Sequence, residues 1–215
     1  MKLKKWMSEE DLVQAMTDRA AVKKFDPTVL VPEKTINAIL ECVRLTASAG
    51  GLQPWKFVLV TNKDIMAKMQ EVVKTKMTVL PNATAILVIC KMRHMYKEYV
   101  YEYADILAER WQLPSIGDAL YDLVFDKTEV ERASWLEDQT YIALGQVMAC
   151  CAVLGVDCLP MEEGDHKVWD ALLGLKDTNY TSILAAVLGI RDETDRFSNL
   201  PKDRKPMDEL LIRVK

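Results

Sequence analysis

At 215 residues, half of them hydrophobic and 28% charged, the chain has the balance of one soluble globular domain with a sizeable core. A net charge of −4 offers no general attraction to nucleic acid or an anionic membrane surface, so any anion must be bound locally. No apolar stretch reaches the length of a membrane span, and the N-terminus lacks the apolar run of a signal peptide, which makes the cytoplasm the expected compartment.

Ser8 followed by Glu9, Glu10 and Asp11 predicts a capped helix start with acids in the first turn, running to about Thr17. Pro32 fits the first position of a second helix, in which Ile36, Ile39, Leu40 and Val43 share a face. That helix is expected to end at the pair Gly50-Gly51. Phe57–Val60 reads as a strand buried on both faces. Asn62 or Asp64 opens a third helix with Ile65, Met69, Val72 and Val73 on one side, and residues 85–90 form a second strand. From Met92 to Lys127 the chain predicts a helix, a loop around Pro114 to Gly117 and another helix. Its pattern is poor for a core, so it reads as an excursion at the edge of the fold, about 92–132.

Asp138 to Leu154 predicts a helix that is apolar nearly all round from Tyr141 onward, ended by Gly155. Such a helix belongs at the centre of a core or in a subunit interface. Asp157–Pro160 is a short strand, residues 166–174 a helix and Ser182–Gly189 a last strand, followed by an extended polar tail at about 191–215. The sum is an α+β arrangement in a single domain, 1–215, without internal repeat or linker.

Five cysteines are odd in number and lack C-x-x-C spacing, and the four that lie inside apolar runs read as free buried thiols. Two distant histidines, His94 and His166, give no metal site. There is no G-x-x-x-x-G-K-[ST] loop, no G-x-G-x-x-G turn after a strand and no G-x-S-x-G elbow, so a Rossmann nicotinamide site is disfavoured. Two basic groups remain. Arg19 and Lys23 are four apart and face one way on a helix end; Lys202 and Arg204 are two apart and share one side of an extended tail. Converging from the two ends of the chain they would bind a phosphate; taken alone, each set is a solvated surface charge.

The ordered series Arg19-x3-Lys23-Lys-Phe-Asp26, Ser48-x4-Gln53-Pro-Trp55, Gly155-Val-Asp-Cys-Leu-Pro160-Met-Glu162, Gly174-Leu-Lys176 with Tyr180-Thr-Ser182, and Leu200-Pro-Lys202-Asp-Arg204 resembles the nitroreductase family. The resemblance runs from about residue 11 to 206 and is weakest at about 92–132. It implies a nitroreductase-like fold, with a central mixed or antiparallel sheet surrounded by helices in an intertwined homodimer. It also implies an FMN-dependent oxidoreductase that takes NAD(P)H as co-substrate and reduces a nitroaromatic, quinone or related small-molecule acceptor by a ping-pong mechanism.

By the same resemblance Arg19, Lys202 and Arg204 clamp the FMN phosphate, with Ala20 and Ala21 among the cofactor contacts. Lys23 stands beside the flavin pyrimidine edge, where a cation stabilises the negative charge that builds up on reduction, and Lys76 makes a further contact. Ala47, Ser48, Ala49 and Gly51 lay backbone against the cofactor from the partner subunit. Pro160, Met161, Glu162 and Glu163 sit on one flavin face, with a backbone N–H of Glu162 or Glu163 directed at N5, where hydride transfer needs orientation more than an acid–base side chain. Trp55 is read as core, and Tyr96, Trp111, Tyr121 and Phe125 as packing or as a cover over the open face. Three positions depart from the family pattern: Ala21 stands where serine is frequent, Gly51 where asparagine is, and Glu163 where glycine is. A same-fold enzyme of different chemistry (reductive dehalogenation or flavin consumption), or a flavin-binding redox sensor with little turnover, is the alternative.

Overall fold

Six consecutive apolar residues, Ala85 to Cys90, need an apolar partner on both sides. The computed structural model, which describes residues 5–74, 77–162 and 164–214, supplies two. The strands are β1 (Trp55–Val60), β2 (Ala85–Met92), β3 (Asp157–Met161) and β4 (Tyr180–Gly189), ordered β1-β2-β4-β3 with every pair antiparallel. Side chains alternate between faces. On β2 and β4, Ile86, Val88, Cys90, Ala185 and Val187 enter one core, while Ala85, Leu87, Ile89, Leu184, Ala186 and Leu188 enter another. Full burial of such a side chain contributes roughly 1.5–3 kcal/mol, so the central strand pair is the most stable part of the sheet.

Helices α1 (Glu9–Asp18), α2 (Glu33–Arg44), α3 (Lys63–Glu71), α4 (Lys97–Trp111), α5 (Gly117–Phe125), α6 (Glu129–Leu154), α7 (His166–Leu172) and α8 (Met207–Leu210) surround it. Met66 and Met69 of α3 and Trp169 of α7 close the first core. Ile36, Ile39 and Val43 of α2 close the second, with Ala143, Leu144, Val147 and Cys151 of α6. Trp55 is buried there too.

Several expectations are corrected. The strand read at Phe57–Val60 begins at Trp55 and is not buried on both faces: it lies at the sheet edge, and Leu59 is exposed. Pro32 caps α2 from outside, and α2 stops at Arg44 rather than at the glycines, which form a separate 3-10 turn, Ala49–Gly51. The α6 helix starts nine residues before Asp138. Thr128 and Glu131 form a capping box, each backbone N–H bonded by the other's side chain. It is also less completely buried than its composition suggests, with Tyr141, Ile142, Val153 and Leu154 exposed. The 92–132 stretch is no coreless excursion: Met92, Met95, Val100, Ala104, Leu120 and Val124 form a third cluster with Leu52 and Leu136. Its apolar positions are spread over two helices that complete each other, so neither helix alone shows a strong stripe.

Candidate functional site

The two ends of the chain are sewn together. Phe25 bridges Arg191, Asp26 N–H bonds Ile190 O at 2.9 Å, and Asp192 N–H bonds Lys24 O at 3.0 Å. Buried Asp195 accepts the Lys23 N–H at 3.0 Å. Arg191 is clamped by Asp157, the first residue of β3, and also reaches Asp18 O. These contacts draw the chain leaving α1 against the polar tail.

A cavity of 340 Å3 lies where they meet, lined by Arg19, Ala20, Ala21, Lys202 and Arg204. Arg19 of one basic group thus meets Lys202 and Arg204 of the other, but Lys23, expected beside Arg19 on a helix end, lies past the end of α1 and lines a different cavity. Lys202 Nζ donates to Met16 O at 2.7 Å and Arg19 O at 2.5 Å, a cation on the last carbonyls of α1, where the helix dipole favours it. Among the described residues none of Arg19, Lys202 and Arg204 forms an ion pair, although Asp18 and Asp203 also line the cavity. Partial burial, then the charges of Arg19 and Arg204, push the Lys202 ammonium below its ordinary range. Three cations against the carboxylates of Asp18 and Asp203 leave an excess of positive charge around this cavity, which favours an anion there.

A larger cavity, 610 Å3, is lined by Lys23, Lys74, Leu144 and the β3 end Pro160, Met161 and Glu162, with Val79 and Leu159. Ala21 of the first cavity and Lys23 of the second are two residues apart, at most about 7 Å of chain. This lining mixes apolar side chains with the charged Lys23, Lys74 and Glu162, which suits a small molecule that carries both apolar and polar atoms. Glu162 Oε1 accepts the Tyr141 hydroxyl at 2.7 Å, and that bond, then burial, pushes the Tyr141 phenol up to about 12.

The glycine turn lies elsewhere. Ala47, Ser48, Ala49 and Gly51 line neither cavity, so one chain alone does not bring them to the site. The turn is nonetheless built firmly. Ala49 N–H bonds buried Gln139 Oε1 at 2.9 Å, and Gln53 N–H bonds Ser48 Oγ at 2.8 Å. Gly50 and Gly51 take φ of 60° and 67°, and a Cβ on Gly50 would meet the Leu120 side chain at 2.7 Å, so glycine is strongly favoured there. Tyr96, Trp111, Tyr121 and Phe125 also line neither cavity; Tyr121 and Phe125 stack on each other, with Tyr101 beside them. Lys76 and Glu163 lie outside the described residues.

Sequence reading missed Lys74 and Tyr141. Lys74 follows α3 with no pattern to mark it, and Tyr141 meets Glu162 across 21 residues. Among the described residues, no group of three His, Cys, Asp or Glu side chains is placed to hold a metal, and no helix is long and apolar enough to cross a membrane.

Residues 16–190 match the Nitroreductase family. A Staphylococcus haemolyticus protein that carries the name NAD(P)H nitroreductase is 31% identical over 218 residues, covering 94% of this chain and 97% of its own. The oxygen-insensitive NAD(P)H nitroreductase of Salmonella typhimurium is 24% identical, covering 95% of this chain and 100% of its own. Among solved structures, an Exiguobacterium sibiricum protein described as a nitroreductase in complex with FMN shares the fold. Its TM-score is 0.79 at 14% identity, over 99% of this chain and 100% of that one.

Proposed function

Because the chain belongs to the nitroreductase family and is an NAD(P)H-dependent oxidoreductase that uses FMN, we propose that the two adjoining cavities are its FMN site. The observation that carries this reading is the unpaired cluster Arg19, Lys202 and Arg204, gathered from both chain ends around one cavity. These three hold the phosphate by charge-assisted hydrogen bonds. Lys23 and Lys74 bring positive charge to the larger cavity, and Pro160 to Glu162 form part of its wall. Bound FMN supplies the two-electron relay between NAD(P)H and the acceptor.

The Ala47 to Gly51 turn serves the site of a second copy, which makes the protein a homodimer. Exposed Ile142, Val153 and Leu154 on α6, with Ile212 and Val214 in the tail, are apolar surface of the kind a subunit interface covers. One open cavity must serve donor and acceptor in turn, so the kinetics are ping-pong and a nitroaromatic or quinone is the fitting acceptor. The test is direct. Purified protein should be yellow and dimeric, release FMN on heating, and give parallel double-reciprocal lines with NADH or NADPH and a quinone. Colourless protein that takes up no added FMN refutes the cofactor site, and intersecting lines refute the shared face.

A further inference from the structure

Glu162 carries an exposed carboxylate at the rim of the 610 Å3 cavity that Lys23 and Lys74 also line. Opposite charges around one cavity attract, and a glutamate side chain is flexible. Among the described residues Glu162 pairs with neither. Its Oε1 accepts the hydroxyl of Tyr141 at 2.7 Å instead. Tyr141 sits on α6, the longest helix, two residues from Gln139, whose amide oxygen holds Ala49. The helix backbone beneath the Tyr141 ring is thereby anchored, although the ring itself is exposed. The Tyr141 bond is also exposed, but it is charge-assisted and short, whereas an exposed ion pair must order two long flexible side chains and is weak.

We infer that Tyr141 is a positioning residue whose hydroxyl holds the Glu162 carboxylate away from Lys23 and Lys74, leaving both ammonium groups free to act on the bound cofactor. The inference rests on the FMN reading above. A lysine already neutralised by Glu162 would do little for the negative charge that a bound ring takes on during reduction; an unpaired one stabilises it. Tyr141 therefore sets the reducing power of the site without touching the cofactor itself.

The experiment compares wild type, Tyr141→Phe, Glu162→Gln and the double variant with two readouts. The first is trace acetylation of Lys23 and Lys74 by acetic anhydride in FMN-free protein, measured by peptide mass spectrometry; an ion-paired lysine keeps its proton and reacts more slowly. The second is the midpoint potential of bound FMN, titrated anaerobically against a reference dye. Tyr141→Phe keeps the ring and should fold. At the modest strength of an exposed pair, it should slow acetylation of at least one of the two lysines about threefold. The preference for reduced FMN should fall by a like factor, roughly 14 mV for a two-electron couple. In the Glu162→Gln background the same substitution should change neither readout, because no carboxylate remains to be held. Unchanged acetylation in Tyr141→Phe overturns the inference. So does slowing that persists in the double variant, which would assign Tyr141 to general packing. If the protein holds no FMN, the proposed function fails, while the acetylation readout still decides whether Tyr141 restrains Glu162.

Discussion

Arg93 meets the buried carboxylate of Asp170 at 2.7 Å, and Arg191 meets Asp157, whereas Arg19, Lys202 and Arg204 gather with no ion pair among the described residues. Both groups join distant parts of the chain, yet their chemistry differs. Asp170 also accepts Thr181 Oγ1 at 2.7 Å, and Ser182 N–H and Oγ at 2.8 Å each. Every charge in that network is answered from within the protein, so it holds the fold. The open cluster has charge to spare, and charge to spare is what a ligand can use. A cation's partner therefore separates a structural residue from a binding one better than its residue type does.

Removing the answered carboxylate should have the largest effect. Asp170→Ala strands Arg93 and three hydrogen-bond donors, and breaking a buried pair costs about 3–5 kcal/mol. Urea unfolding should show that loss, while FMN affinity of the folded protein stays as it was. The network also predicts acid sensitivity. Burial alone would raise the Asp170 carboxyl, but the bonds from Ser182, Thr181 and Arg93 outweigh it and hold the group below its ordinary value. A depressed folded value means stability present above the unfolded carboxylate value, about 3.9, and lost as pH falls through the lower folded one. Wild-type stability should decline over that acid range, and Asp170→Ala should lack this component. A variant with unchanged urea midpoint would remove the structural half of the comparison.

Opening the ligand cluster further should have a smaller effect, and a selective one. If Arg204 holds a dianionic phosphate, its charged hydrogen bond contributes roughly 1.5–3 kcal/mol. Arg204→Ala should then weaken FMN by about ten- to a hundredfold. Riboflavin has the same ring and no phosphate, so its affinity should hardly move, and neither should the urea midpoint. Equal losses for both ligands would make Arg204 structural, on a par with Arg93.

This contrast also explains what could be read from sequence. The strands read at 85–90 and 182–189, each two residues longer in the structure, were legible because continuous apolar runs have few other uses, and the convergence of Arg19 with Lys202 and Arg204 followed from spacing together with family order. The early start of α6 was missed because the charged Glu129, Glu131, Arg132 and Glu137 break up the apolar residues of that stretch, although Thr128-x-x-Glu131 carried the signal. The third cluster was missed because α4 and α5 each bury only part of a stripe. Tyr141, Lys74 and the Asp170 network depend on contacts across long stretches of chain, which periodicity does not report. The glycine turn shows the same limit from the other side: its strain was foreseeable from Gly50 and Gly51, but a single chain leaves it away from both cavities.

Ionic strength gives the smallest and sharpest distinction between the two groups. The screening length drops from about 10 Å at 0.1 M salt to about 3 Å at 1 M. Exposed Lys202 and Arg204 attract a phosphate through solvent, so that attraction should be screened. The Asp170 carboxylate is buried, its bonds are short, and little solvent lies between the partners, so its contribution should persist. Raising salt from 0.1 to 1 M should therefore weaken FMN binding severalfold, by the loss of about 1 kcal/mol of screened attraction. Riboflavin binding should follow only the general salt effect on apolar association, and Arg204→Ala should respond to salt less steeply than wild type because one of the screened charges is gone. Titrating both ligands against both proteins at the two salt concentrations isolates the phosphate contribution as a difference of differences. If FMN and riboflavin respond alike, the cluster attracts no phosphate, and its unanswered charge has no ligand to explain it.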